Sequence, residues 1–193
     1  YARDFDGFAR AVGASYARYG FAVVADHGLP AATIDGCLAA FREFFAWPDA
    51  RKRAYHVPGS GGARGYTPFG VEAAKGAAHV DLKEFWHVGR ELPAGHAYRR
   101  YMPDNLWVEG IVGFREHTYA AFEAFDALGR RLLRAIARYL ELPLDYFDDK
   151  VNLGNSVLRV LHYPPVTAPT DAVRAGAHED INVITLLLGA EEG

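Results

Sequence analysis

The sequence predicts an α+β fold with helices first and strands afterwards, and three observations carry that expectation. Apolar residues recur at spacings of three and four near the start and again over residues 106–142. After this helical stretch the period changes, and apolar segments of strand length, the last of them rich in β-branched residues, take over from residue 156 onward. Between the helical stretches, residues 58–76 are dense in glycine and proline, as in Gly59-Ser60-Gly61-Gly62.

Phe5, Phe8, Val12 and Tyr16 mark an amphipathic helix that ends near Gly20. Residues 21–25 then read as a short buried strand. Pro30 starts a second helix with Ile34, Leu38, Phe41 and Phe45 on one face, closing before Pro48. Residues 49–55 add a short helix, and residues 58–76 form a long irregular segment of the kind that often carries function. Residues 82–88 alternate as a strand. The longest helical stretch is 106–142, where Phe114, Tyr119, Phe122, Phe125, Leu128, Leu132, Ile136 and Leu140 trace one apolar side and Pro143 ends it. Residues 156–163 and 181–188 are the two clear core strands, separated by a loop with Pro164, Pro165 and Pro169.

At 193 residues, 50% hydrophobic and 13% aromatic, the chain is globular and long enough for one sizeable core. A net charge of −3 gives no electrostatic footprint for nucleic acid or an anionic membrane, so the expected partner is a small molecule. No stretch has the apolar length of a membrane span, and Tyr1-Ala2-Arg3-Asp4 has no signal pattern. The lone Cys37 suits a reducing compartment and reads as a small core hydrophobe; a cytoplasmic location is the expectation. The only methionine is Met102, and the chain stops at a turn-like Gly189-Ala190-Glu191-Glu192-Gly193 straight after an apolar strand, so more chain is expected at both ends.

His178-Glu179-Asp180 opens the last apolar segment. On a strand, residues two apart share a face, so one imidazole and one carboxylate can converge on a single ion. They would supply two of the three ligands of the facial arrangement that holds non-haem Fe(II). With 8 His in the chain, chance alone gives roughly half of one His-x-Asp, and a surface salt pair at a strand start fits the tripeptide as well. A second copy, His79-Val80-Asp81, has His87 six residues further on and formally offers a triad of its own.

Context separates the two. His162-Tyr163-Pro164-Pro165 followed by Gly176-Ala177-His178-Glu179-Asp180-Ile181-Asn182-Val183-Ile184-Thr185-Leu186-Leu187 resembles the metal-binding core of the isopenicillin N synthase-like family of Fe(II)- and 2-oxoglutarate-dependent oxygenases. Gly20-Phe21-Ala22-Val23-Val24, Asp26-His27-Gly28-Leu29-Pro30, Arg64-Gly65-Tyr66-Thr67-Pro68-Phe69-Gly70 and Asp81-Leu82-Lys83-Glu84-Phe85-Trp86 are similar to that family's N-terminal region, in the same order. The resemblance implies a double-stranded β-helix, or jelly roll, flanked by helices. Residues 1–105 would be the N-terminal helical and β region, and 106–193 the long helix and first core strands of the same structural domain. It implies Fe(II) and 2-oxoglutarate as cofactors, O2 and a small organic molecule as substrates, and His178 and Asp180 as metal ligands and catalytic residues. A third ligand, a second His followed by Arg-x-Ser, is expected beyond Gly193. The tripeptide leaves open an oxidase of the family that uses no 2-oxoglutarate, and a binding module that keeps the fold without the chemistry.

The resemblance also gives Tyr163 a role, a hydrogen bond to a carboxylate of co-substrate or substrate, against a core tyrosine as the alternative. Arg159 sits in an otherwise apolar Val157-Leu158-Arg159-Val160-Leu161, so its guanidinium must be paired or reach a solvated cavity. By alternation it shares a face with Tyr163, and together they could bind an anionic group; an ion pair with Asp or Glu is the other reading. His162 falls on the opposite face and reads as a structural histidine. His27 reads as local backbone satisfaction, Phe85 and Trp86 as pocket or core, and His56, His96 and His117 as solvated.

Overall fold

The computed structural model describes residues 1, 3–72, 80–167, 170–176 and 178–189. Helix α1, Phe5–Tyr19, starts where the Asp4 carboxylate accepts from the Gly7 amide at 2.7 Å and stops at Gly20, whose φ of 79° lets its amide close on Tyr16. Gly13 leaves room for a close approach to the helix that ends at Tyr139: a Cβ there would lie 2.0 Å from the Tyr139 ring. Helix α2, Ala31–Phe45, follows Pro30 and buries Cys37, Ala40, Phe41 and Phe44, a stripe rotated slightly from the expected one. Burial pushes the Cys37 thiol up to about 12, as suits a small core side chain. A short α3, Asp49–Lys52, runs into a single 3-10 turn.

Helix α4, Phe114–Tyr139, is shorter than the apolar pattern suggested. Gly110 and Gly113, with φ of 92° and 70°, hold the chain out of helical geometry until Phe114. α4 packs on α1 and α2 and on the inner face of a three-stranded antiparallel sheet. The strands are β1, Gly65–Thr67, β2, Glu84–Gly89, and β3, Val157–His162. β1 lies inside the segment expected to be irregular; three residues are too few for a period to show.

Register fixes the two faces. Tyr66 pairs with Trp86 and Trp86 with Val160, so this row points inward; Phe85 and Leu161, then His87 and Arg159, form the outer rows. Trp86 stands 4.9 Å from Phe44, Phe41 stands 5.2 Å from Phe114, and Phe44 stands 5.4 Å from Tyr66, forming an aromatic core between sheet, α2 and α4. Each such ring removed from water contributes about 1.5–3 kcal/mol.

Two expected strands are not strands. Residues 21–25 have no regular secondary structure, no strand pairs with them among the described residues, and Phe21 and Val23 are 61% and 88% exposed. Residues 181–188, expected as a buried strand, are mostly exposed, with only Ile184 and Leu186 partly covered, and among the described residues no strand pairs with them. A short apolar, β-branched run states the need for a partner strand without supplying one. No described helix is long and apolar enough to cross a membrane.

Candidate metal centre

After β3 the chain leaves the sheet through Pro164 and Pro165 and is stitched back just ahead of β2. The Leu82 amide donates to the Val173 carbonyl at 3.0 Å, and the Gly176 amide donates to Asp81 Oδ1 at 3.1 Å. Two residues later comes His178. Its Nδ1 lies 2.8 Å from the Gly176 carbonyl, and a carbonyl only accepts, so Nδ1 carries a proton and the neutral tautomer this selects has its lone pair on Nε2. Nε2 stands 3.5 Å from Asp180 Oδ1, and both side chains are about half exposed, at 59% and 48%. The other oxygen of Asp180 accepts from the Thr185 hydroxyl, which in turn takes a hydrogen bond from Asn182 at 3.1 Å.

The donor set fits a hard or borderline divalent ion. An imidazole fixed in the Nε2-free tautomer and a carboxylate 3.5 Å away lie within reach of one ion bonded to each at roughly 2.0–2.2 Å. Among the described residues no group of three His, Cys, Asp or Glu is arranged to hold a metal, so these two are what the described chain offers.

The rival motif is placed differently. His79 lies outside the described residues, whereas Asp81 is 4% exposed and committed, with Lys83 Nζ at 2.7 Å and the Gly176 amide at 3.1 Å. Burial alone would raise its pKa, but those two hydrogen bonds hold the carboxyl below its ordinary value. His87, the third member of that formal triad, is neutral: burial and the charge of Arg159 lower its pKa to about 4, and its Nδ1 is tied to the Gly62 carbonyl at 2.6 Å.

Arg159 lies on the outer sheet face, its guanidinium 4.0 Å from the centre of the Phe85 ring and 2.5 Å from Glu72. Glu72 also meets Lys83 at 2.9 Å. Arg159, Glu72, Lys83 and Asp81 thus form an alternating chain of charge that runs from the sheet to the loop before His178. The ion-pair reading of Arg159 is the one realised among the described residues. Tyr163 follows β3, beside a groove of about 390 Å³ whose lining includes Phe69, Leu82, Pro164, Pro165 and Val166.

On the inner face, His162 stacks on Phe45 and its Nδ1 meets Glu84 Oε1 at 2.7 Å. Glu84, 2% exposed, also takes Lys52 at 2.7 Å and the Tyr66 hydroxyl. Burial would raise its pKa, but these partners more than offset that and keep it ionised. Phe85 and Trp86 are core, at 2% and 0% exposure. His27 accepts from the Leu29 amide, the local role expected of it, while His56 and His96 each hold a backbone group rather than being simply solvated. Sequence reasoning missed Thr185 and the support given by Asp81, Lys83 and Glu72. The Asp81-Leu82-Lys83 spacing, which puts opposite charges two apart, was the available signal for the last group.

Helices packed on one face of an antiparallel sheet, with an exposed imidazole–carboxylate pair at the end of a pinned loop, define a candidate non-haem metal protein. A family model described as the N-terminal region of non-haem dioxygenases in morphine synthesis matches residues 2–110, over half of the chain, and the chain belongs to that family. It is 31% identical over 192 residues to the proline hydroxylase buaE of Petromyces alliaceus, covering 94% of this chain and 58% of that protein. It is 32% identical over 180 residues to the 2-oxoglutarate-dependent dioxygenase htyE of Aspergillus rugulosus, covering 88% of this chain and 54% of that one. A crystal structure of a 2OG-Fe(II) oxygenase family protein from Caulobacter crescentus superposes with a TM-score of 0.89 at 53% identity, over 100% of this chain and 63% of that chain. The chain therefore spans a little over half the length of the curated relatives it matches.

Proposed function

We propose that the protein is an Fe(II)- and 2-oxoglutarate-dependent oxygenase acting on a small organic substrate, with His178 and Asp180 as two of its iron ligands and catalytic residues. The observation that carries this is the His178 Nε2–Asp180 Oδ1 approach of 3.5 Å with Nδ1 already occupied by the Gly176 carbonyl. The family, and the names of the relatives, supply the co-substrate. Bound Fe(II), with 2-oxoglutarate and O2, supplies a two-electron oxidation of substrate coupled to decarboxylation of 2-oxoglutarate to succinate.

The chain's own residues do the positioning. The Gly176 carbonyl fixes the His178 tautomer, and Thr185 holds one Asp180 oxygen so that the other faces the imidazole. Tyr163 is proposed to donate to a carboxylate of 2-oxoglutarate or substrate. Arg159, spanned by Glu72, reinforces that side electrostatically and could exchange its partner for an anionic ligand. The sheet β1–β2–β3 is read as one wall of a jelly roll, with 1–105 and 106–193 as parts of one structural domain, since β3 pairs with β2. A cytoplasmic setting suits the lone, buried Cys37.

The test is turnover in the intact protein. With Fe(II) and O2, 2-oxoglutarate should be converted slowly to succinate without any added substrate. Calorimetry showing no 2-oxoglutarate binding in the presence of metal would sink this reading and favour the 2-oxoglutarate-independent oxidase or the binding module.

A further inference from the structure

We propose that Asp81 is a positioning residue for the metal pair, holding the Gly176 peptide so that its carbonyl fixes the tautomer and aim of His178. This rests on the reading of His178 and Asp180 as iron ligands. Gly176 is clamped on both sides: its amide donates to Asp81 Oδ1 at 3.1 Å, and its carbonyl accepts from His178 Nδ1 at 2.8 Å. One residue therefore transmits the place of a buried carboxylate to an exposed imidazole. The neighbouring Leu82–Val173 hydrogen bond at 3.0 Å holds the same loop in parallel.

The chemistry of Asp81 suits the task. Its carboxylate is 4% exposed, so water does not compete for Oδ1, and a charged acceptor makes a stronger bond to an amide than a neutral one. Lys83 binds Oδ2 at 2.7 Å and is itself braced by Glu72 at 2.9 Å, so the carboxylate is held at two points. A metal-ligating histidine whose ring orientation is set through its second nitrogen loses affinity when that support is removed, typically by about 10–100-fold. In this chain the support is a backbone carbonyl that follows an exposed stretch, 173–175, so the anchor of that stretch becomes part of the site.

A loop anchor with no bearing on the metal would make a different prediction, and three variants of the intact protein separate the two. Asp81→Ala removes the acceptor and the ion pair. Asp81→Asn keeps Oδ1 as an acceptor, while Lys83→Met keeps the acceptor and removes its cation. Fe(II) affinity is read by titration, fold stability by thermal melting, and ligand geometry by the visible absorption spectrum of the Co(II)-loaded protein. Asp81→Ala should raise the Fe(II) Kd by about 10–100-fold and alter the Co(II) spectrum, whereas Asp81→Asn and Lys83→Met should stay within about threefold with the native spectrum, whatever their melting temperatures. Gly176→Pro, which deletes the donor and leaves the Asp81–Lys83 pair in place, should weaken Fe(II) as Asp81→Ala does and stands in for it should that variant fail to fold. Wild-type Fe(II) affinity in Asp81→Ala or Gly176→Pro, or an equal loss in Lys83→Met, overturns the proposal. Failure of the underlying reading shows separately, as a wild-type protein that binds no Fe(II) or a His178→Ala protein that binds it undiminished.

Discussion

The chain carries the tripeptide His-x-Asp twice, and the two carboxylates meet opposite surroundings. Asp81 is 4% exposed and already neutralised by Lys83, with its second oxygen on the Gly176 amide. Asp180 is about half exposed, accepts from the Thr185 hydroxyl, and faces the exposed His178 Nε2 3.5 Å away. A carboxylate whose charge is met by a buried ammonium gains little from a cation; one that faces a second donor without a counter-charge gains much. What marks a metal pair is unspent charge, and sequence spacing does not report it. The two copies are nevertheless linked, because the spent carboxylate pins the loop that presents the unspent one.

The largest effect expected from this contrast lies at the most deeply neutralised carboxylate. Glu84→Ala leaves Lys52, 7% exposed, without its counter-charge and should cost about 3–5 kcal/mol in urea unfolding. A loss below about 1 kcal/mol would show that the buried charges are not balanced by one another. The second effect is a pH dependence at His87. Its folded pKa, about 4, lies below the ordinary 6.5, so the unfolded chain takes up the proton first. Stability should be full above pH 6.5 and fall by about 3 kcal/mol as pH drops toward 4, a slope that His87→Asn should flatten. Should the slope persist unchanged in that variant, another group carries it.

The third effect compares the two motifs directly. Asp81→Ala should cost about 1.5–3 kcal/mol by orphaning charge-assisted hydrogen bonds, whereas Asp180→Ala should stay within about 0.5 kcal/mol and lose Fe(II) instead. Equal losses of stability at the two sites would erase the contrast. The smallest effect concerns Tyr163: replacing it with Phe should weaken 2-oxoglutarate binding by about 0.5–1.5 kcal/mol, and unchanged calorimetric affinity would remove it from the site.

Much of the scaffold was legible because local rules and packing agree. Gly20 and Pro30 punctuate α1 and α2 where expected, and β2 and β3 fall within a residue or two of their alternation. α4 was overextended because Leu106, Val108 and Ile111 are buried or partly buried without being helical, and Gly110 and Gly113 override their spacing. Residues 21–25 and 181–188 read as strands because short β-branched apolar runs call for neighbours; pairing is a property of the neighbours. At the site, His178 Nε2 and Asp180 Oδ1 lie 3.5 Å apart although residues 178–188 form no strand, so the approach rests on the local turn and its hydrogen bonds rather than on strand spacing. The partners of Arg159 and Asp81 were illegible, because Glu72 lies 87 residues from the first and Gly176 lies 95 from the second.

The central claim is that His178 and Asp180, and not the earlier copy, hold the iron. The most direct measurement is iron per chain in the intact protein and in His178→Ala and His79→Ala, each loaded anaerobically with Fe(II) and freed of excess. Iron should fall to background in His178→Ala and stay at the wild-type level in His79→Ala. Iron that survives His178→Ala and is lost in His79→Ala would contradict the assignment.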